Sequence, residues 1–242
     1  MRISEFIERS NTAGSPEGVF TLLEAICADY GIDQIAYGAL TNHVIYNSQS
    51  YQAPAIVLNY PPDWVEHYFA NDYQQMDPVV TLTPGLRRPY LWDRMDESVA
   101  LSDEQKTFFA EAREAGLKDG MSVPLHGPFG NVAVLSLASR ESNNTIEDIF
   151  GELNAVAAQF HTVYTDHVLG IRQVPSSVRL TERERECLLW SARGKSSWDT
   201  GMIIGISEHT VNFHLKNAMA KLEAGSRVVA VVKAIRAGLI SP

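Results

Sequence analysis

Between Leu180 and Ala237 the chain carries a close succession of helix starts and stops, and this constrains its fold more than any other feature of its 242 residues. Leu180-Thr181-Glu182-Arg183-Glu184 has the form of a capping box, with Thr181 accepting from the Glu184 amide while the Glu184 side chain reaches back to the Thr181 amide. The pattern predicts a helix from there through Cys187, Leu188 and Leu189 to Ala192, ending near Gly194, and a second from about Ser197 to Ile204. Gly205-Ile206-Ser207 makes a tight turn with Ser207 as N-cap of a third helix, Glu208 to Leu222, and a fourth follows from about Ser226 to Ala237. In the third helix Val211, His214 or Leu215, Ala218 and Leu222 form a buried stripe, leaving His209, Thr210, Asn212, Phe213, Lys216, Asn217 and Lys221 on accessible faces. Two short helices joined by a glycine-containing turn match the helix-turn-helix arrangement, in which Lys suits phosphate or guanine and Asn can pair bidentately with adenine. The same pattern also fits a small helical bundle whose third helix has a solvated face.

Charge is unevenly distributed. From Pro175 onward there are 10 Lys and Arg against 6 Asp and Glu, a net of +4, whereas the whole chain is at −9. A basic segment on an acidic body suggests that the C-terminal part meets a polyanion. Residues Thr145 to Leu169 place Ile146, Ile149, Phe150, Leu153, Val156, Ala157, Phe160, Val163, Tyr164 and Val168 at helical spacing, predicting one long amphipathic helix. Gly170 is a candidate C-cap, and the following Pro175 and serines read as a linker. The expected organisation is a domain over residues 1–170, a linker over 171–178 and a helix-turn-helix domain over 179–242.

Upstream, the pattern reads as a helix Pro16 to Tyr30, strands Gln34 to Leu40 and Ala55 to Leu58, a helix Pro61 to Phe69 and a loop holding Asp77-Pro78. A helix Asp103 to Ala115 follows, then strands Gly120 to His126 and Asn131 to Ser139 joined by hairpin chemistry at Gly127-Pro128-Phe129-Gly130. The fold class is α+β: an N-terminal α/β/α sandwich around an antiparallel sheet, plus a C-terminal all-α helix-turn-helix domain. A phospho-receiver would instead alternate parallel strands and helices. Trp64 and Tyr68 are i, i+4 on their helix and share a face; with Asp77 and Trp92 nearby, they form either an aromatic core cluster with Asp77 capping a turn, or a mostly aromatic small-molecule cavity with a few polar tips.

Other chemistries find little support. Cys27 and Cys187 sit among apolar helical neighbours and read as buried thiols rather than a disulfide. His161 and His167 are six apart, not the i, i+4 of a metal pair, so no metal and no cofactor is expected. Gly194-Lys195-Ser196 lacks the preceding glycine of a phosphate loop, since position 189 is Leu in a helix. No nucleophile–His–acid constellation is evident, so no catalytic residue is assigned and the chain is not expected to be an enzyme. Glu5 and Glu8 stand where a signal peptide needs an apolar run, and the longest apolar stretches fall far below the roughly 18 residues of a membrane span. A cytoplasmic protein with no membrane partner is expected.

From Leu180 to Ile240 the residues Glu184, Leu188 and Gly194, the turn Ile206-Ser207-Glu208 with Thr210-Val211, and the downstream His214, Asn217 and Lys221-Leu222 resemble the DNA-binding domain of the LuxR family of bacterial transcription regulators. The resemblance implies DNA-facing roles for Lys195, Ser196, Thr210, Asn212, Lys216, Asn217 and Lys221. Over about residues 15 to 165, Asn59-Tyr60-Pro61 with Trp64, Tyr68, Tyr73, Asp77-Pro78-Val79-Val80 and Trp92, and later Gly116-Leu117 and Leu135-Ser136-Leu137, resemble the same family's autoinducer-binding domain. Carried over, Trp64 donates its indole N–H to the lactone carbonyl of an N-acyl (or aryl) homoserine lactone and Asp77 accepts from the amide N–H. Tyr60 and Ser136 hydrogen-bond the acyl carbonyl, Trp92 and Phe109 pack against the lactone ring, and Tyr68 and Leu117 line the acyl pocket. Leu40, Tyr51, Ala53, Val79 and Val132 lie toward the tail.

Two departures from the family stand out. Val79 replaces a residue that carries a hydroxyl in relatives, removing a second contact to the amide N–H. Asp199-Thr200-Gly201 stands where the family has Glu-Ile-Ala, so the second helix is expected to be weakened, the glycine costing about 1 kcal/mol against Ala, and restoring Ile and Ala is expected to raise the melting temperature. The resemblance implies a quorum-sensing regulator: a homodimer joined along the Thr145 to Leu169 helix, taking a small-molecule autoinducer and double-stranded promoter DNA as partners, with RNA polymerase as a further contact. The alternative within this architecture is an orphan regulator that answers to no ligand or to a foreign signal.

Overall fold

The computed structural model describes residues 1–40, 55–127, 131–141, 146–169 and 178–242. These fall into two compact units, residues up to 169 and residues from 178 on. Tyr51, Ala53, Pro128 to Gly130, Thr145, Gly170 and the stretch 171–177, on which parts of the sequence reading fall, lie outside the described residues.

The first unit is a sandwich with an antiparallel five-stranded sheet in order β2-β1-β5-β4-β3. Its strands are β1 (Gln34–Ala39), β2 (Ala55–Leu58), β3 (Tyr90–Leu91), β4 (Asp119–His126) and β5 (Val132–Ser139). Alternation along them separates two layers. Ile35 and Tyr37 of β1, Met121, Val123 and Leu125 of β4, and Leu135 and Leu137 of β5 all enter one core cluster. That cluster is closed by α1 (Ile3–Thr12), α2 (Pro16–Asp29) and α7 (Phe150–Leu169). The opposite face carries small residues, Ala36, Gly38 and Ser136 among them, and is covered by α3 (Pro62–Ala70), α4 (Pro78–Leu82) and α6 (Asp103–Glu114), with the short α5 (Met95–Ser98) beside them.

Four of the five strands fall within a residue of where the sequence places them; β3 and α5 are additions, and three further elements differ from the sequence reading. Helix α1 was not anticipated; Phe6 and Ser10 are its only buried residues, so its periodic signal is thin. Asp77-Pro78 is not a plain loop: Asp77 caps α4, which Pro78 opens at the position where a missing N–H costs nothing. The long helix begins at Phe150 rather than Thr145. Its apolar stripe, including Leu153, Val156, Ala157 and Phe160, is fully buried against the sheet, α1 and α2 of the same chain. The stripe therefore cannot serve as a seam between two copies; a contact there would have to use the other side of α7.

The second unit packs α8 (Glu182–Ala192), α9 (Ser197–Ile204), α10 (Glu208–Lys221) and α11 (Arg227–Arg236) around Cys187, Leu188, Val211, Leu215, Ala218 and Ala234. The capping box forms as written, Thr181 N–H donating to Glu184 at 2.8 Å and Glu184 N–H to Thr181 Oγ1 at 3.2 Å. Gly205 closes α9 at φ 72°, a left-handed conformation that suits glycine. Leu215, not His214, completes the buried stripe of α10.

The expectation that Gly201 merely weakens α9 is overturned. A Cβ there would stand 2.6 Å from the Ile206 carbonyl oxygen and 3.4 Å from the Glu208 nitrogen, so the glycine lets the backbone of the turn close onto α9. Thr200 is likewise no defect: it is buried and its Oγ1 donates to the Ser196 carbonyl at 2.7 Å. Gly201→Ala should therefore destabilise the domain by about 1–3 kcal/mol, which lowers its melting temperature by several degrees. Thermal unfolding of the full-length variant checks this, and an unchanged or higher transition would contradict it.

Candidate functional site

The hollow between the small-residue face of the sheet and helices α3, α4 and α6 encloses a cavity of about 100 Å³. That is several times the roughly 10–15 Å³ one water needs on the same measure, so the space suits an organic molecule. Its floor is Ala36 and Gly38 of β1 and Val134 and Ser136 of β5; a larger residue at any of these would fill it.

Tyr60, Trp64, Tyr68, Asp77, Val79, Trp92, Phe109, Leu117 and Ser136, the ligand contacts expected from the sequence, all line this one space. Tyr60 comes from the segment just before α3, Trp64 and Tyr68 from α3 itself, Asp77 and Val79 from the head of α4, and Trp92 from the turn after β3. Phe109 comes from α6, Leu117 from the loop after it, and Ser136 from β5. Of the tail positions, Leu40 lines the cavity, whereas Val132 lies farther along β5 and does not line it.

The polar groups divide into those already paired and those left open. Asp77 Oδ1 accepts from the Val79 amide at 2.8 Å and Oδ2 from the Tyr68 hydroxyl at 3.0 Å, so Asp77 both caps α4 and faces the cavity. Trp92 Nε1 donates to Ser122 Oγ at 2.8 Å, and Ser122 and Ser136, directly opposite on β4 and β5, pair at 2.9 Å. The Tyr60 hydroxyl stands near Ser136, which partly offsets the effect of burial on it. Trp64 is 5% exposed, and no described residue accepts its indole N–H.

Burial raises the Asp77 carboxyl to about pKa 6, against the opposing pull of the Val79, Tyr68 and Val80 hydrogen bonds. Burial likewise drives the Tyr60 and Tyr68 hydroxyls well above their ordinary value, with the Asp77 charge adding to it, so both stay protonated donors.

Several residues escaped the sequence reading. Phe108 on α6 lines the cavity and packs 5.7 Å from the Trp64 ring and 5.4 Å from Phe109; its i, i+1, i+4 spacing with Phe109 and Ala112 was the available signal. Gly120 seats Trp92: an added Cβ would lie 2.0 Å from the indole ring, and a glycine inside a strand is the mark of such close approach. Outside the cavity lining, Glu111 of α6 accepts from the Tyr73 hydroxyl and pairs with His67 Nε2 of α3 at 2.9 Å, tying these two covering helices together.

In the second unit the expected DNA-facing residues do not all behave alike. Lys195, Asn212 and Lys216 are exposed, as are Phe213 and His209, while Thr210 and Asn217 are half-buried. Ser196 is exposed but acts as N-cap of α9, accepting from the Asp199 amide at 3.0 Å. Lys221 departs from its expected role: its Nζ lies 2.7 Å from Glu184, itself 3% exposed, and 3.2 Å from the Arg179 carbonyl. Its charge neutralises a buried carboxylate within the domain rather than standing free for phosphate.

Residues 15–164 match the family described as the autoinducer binding domain, and residues 178–234 match the bacterial regulatory proteins of the luxR family. A putative HTH-type transcriptional regulator of Sinorhizobium fredii is 35% identical over 99% of this chain and 73% of its own length. The transcriptional activator SolR of Ralstonia solanacearum is 34% identical over 95% and 94%. The crystal structure of Escherichia coli SdiA superposes with a TM-score of 0.71 over 99% of this chain and 98% of its own, at 23% identity, a likeness of fold.

The raised Asp77 pKa carries a sign. The folded state holds this proton more tightly than the unfolded chain, so the contribution to stability is full below about pH 4 and is lost as pH rises through about 6. A shift of about two units corresponds to about 3 kcal/mol. Urea unfolding of the ligand-free chain and of Asp77→Asn, which cannot titrate, should therefore give a stability difference that moves against the native chain by that order between pH 4 and 7. A difference independent of pH would contradict it.

Proposed function

The chain belongs to the LuxR family of bacterial transcription regulators, joining an autoinducer-binding domain to a LuxR-type helix-turn-helix, and from that premise we propose that it senses an N-acyl-homoserine lactone in the cavity beneath α3. The observation that carries the reading is the open indole N–H of Trp64 beside the buried Asp77 carboxylate: one donor seeking an acceptor and one anion able to take a further donor. A lactone amide supplies both, its ring carbonyl to Trp64 and its amide N–H to Asp77, while the acyl carbonyl meets Tyr60 and Ser136. Trp92 and Phe109 then flank the lactone ring, and Tyr68, Leu117 and Val79 lie toward the acyl chain. With Val79 lacking a hydroxyl, Asp77 takes the amide N–H alone.

Binding adds stability in proportion to occupancy, about 2.7 kcal/mol at 100 times the dissociation constant, a large share of what holds a domain folded. The signal thereby favours a folded cytoplasmic homodimer, which places two copies of α10 in successive major grooves of promoter DNA. Lys195, Thr210, Asn212, Lys216 and Asn217 are the contacts we assign to this interface, with Ser196 acting through its cap, and RNA polymerase is the further partner. The working boundaries are residues 1–170 for the sensing domain and 179–242 for the DNA-binding domain.

Two variants test the two halves. Trp64→Phe keeps bulk and removes one donor, so lactone affinity in a reporter or calorimetric titration should fall by about 1–3 kcal/mol, and an unchanged dose response would remove Trp64 from the site. Lys216→Ala should weaken DNA binding and make the dependence of log affinity on log salt shallower by about 0.9 per protomer, whereas an unaltered slope would place Lys216 away from phosphate.

A further inference from the structure

Behind the cavity wall lies a serine that does not itself line the cavity. Ser122 of β4 is fully buried and stands opposite Ser136 of β5 in the sheet register. Its Oγ is shared between two groups that do line the cavity: the Trp92 indole donates to it at 2.8 Å, and the Ser136 hydroxyl pairs with it at 2.9 Å. An indole N–H only donates, whereas each hydroxyl has one proton to give and can accept besides. Trp92 therefore gives its proton to Ser122, but the contact between the two serines can run either way. A third hydroxyl stands near, that of Tyr90, itself 2.6 Å from Thr83 Oγ1, and it offers the Ser122 proton a second direction.

Within the protein alone neither direction is imposed. A carbonyl held against Ser136 imposes one. It has no proton to give, so a hydrogen bond between them uses the Ser136 proton, and the contact between the serines then survives only if Ser122 donates. Resting on the lactone reading above, we infer that Ser122 is a positioning residue for the signal: it accepts from Trp92, donates to Ser136 and so aims the Ser136 hydroxyl at the acyl carbonyl. From the Trp92 N–H through Ser122 and Ser136 to the carbonyl the bonds then run in one direction, and aligned bonds of this kind reinforce one another in a low-dielectric interior. The place of the indole ring does not rest on Ser122, since the ring lies against Gly120, where a Cβ would come within 2.0 Å of it, and packs 6.2 Å from Phe109. Loss of the Ser122 hydroxyl therefore reaches the ligand through Ser136.

Calorimetric titration of the full-length chain with a series from N-butanoyl- to N-dodecanoyl-homoserine lactone selects the tightest-binding probe, which is then also made with its acyl carbonyl replaced by a thiocarbonyl, a weaker acceptor. Ser122→Ala should weaken binding of the oxygen compound about two- to ten-fold, the net worth of one hydrogen bond. It should weaken the sulfur compound less, whereas a lost support for Trp92 or for the sheet would weaken both alike. The double variant with Ser136→Ala should bind the oxygen compound no more weakly than Ser136→Ala alone. Ser122→Cys, which keeps the site filled but donates weakly, should fall between native and Ser122→Ala, and it carries the same comparisons if the truncation does not fold. Equal losses for the two compounds, additive losses in the double variant, or serine variants that bind as tightly as native would each overturn the inference; the last result would assign the Ser122 proton to Tyr90. A native chain that takes up no member of the series would overturn the lactone reading itself, and this inference with it.

Discussion

Burying the carboxyl group of Asp77 is the step on which the sensing unit depends. An ionised side chain taken out of water is costly unless hydrogen bonds replace its hydration. The first turn of α4 supplies one such bond through the Val79 amide and α3 supplies another through Tyr68, so two of the three helices covering the cavity are joined at this carboxylate. Those bonds do not fully offset burial, because the group still titrates near 6 rather than in the usual carboxylate range. A cavity that holds an under-compensated acid beside an open indole N–H is a site prepared for a molecule with one donor and at least one acceptor, and the same shortfall couples occupancy to stability.

The sheet makes that site available through residue size. On one face β1, β4 and β5 present Ile35, Tyr37, Met121, Val123, Leu135 and Leu137 to a filled core. On the other, Ala36, Gly38, Ser122 and Ser136 leave room, and Gly120 lets the Trp92 ring lie directly on β4. The filled face supplies rigidity, and the hollow face borrows it. The second unit is held by close approaches: Gly201 admits the turn, Lys221 neutralises Glu184, and Arg227 spans three partners.

Local patterns made much of this legible. Turn residues between them mark β4 and β5, the Thr181–Glu184 box marks the start of α8, and Gly205-Ile206-Ser207 marks the turn into α10, because each is settled within a few residues of chain. Features that depend on a distant partner were not legible. Lys221 lies on an accessible face of its helix by periodicity, yet its partner Glu184 is 37 residues earlier. Gly201 counts against α9 by helix propensity, whereas the approaching turn backbone makes it the residue that fits. The stripe on α7 is genuine, but periodicity does not say whether such a stripe meets its own sheet or another copy. At the cavity, the residues alone left Asp77 open between a turn cap and a cavity group; in the fold it is both. The named ligand set came from resemblance to the family, and Phe108 and Gly120 lay outside it.

The most direct measurement is a calorimetric titration of the purified chain with N-acyl-homoserine lactones just below pH 6, repeated in buffers of different ionisation enthalpy. If an amide N–H is what completes Asp77, binding saturates at one ligand per chain and releases protons, since the bound donor favours the anion. Binding without proton release, or folded protein that takes up no lactone of any tail length, would contradict the account.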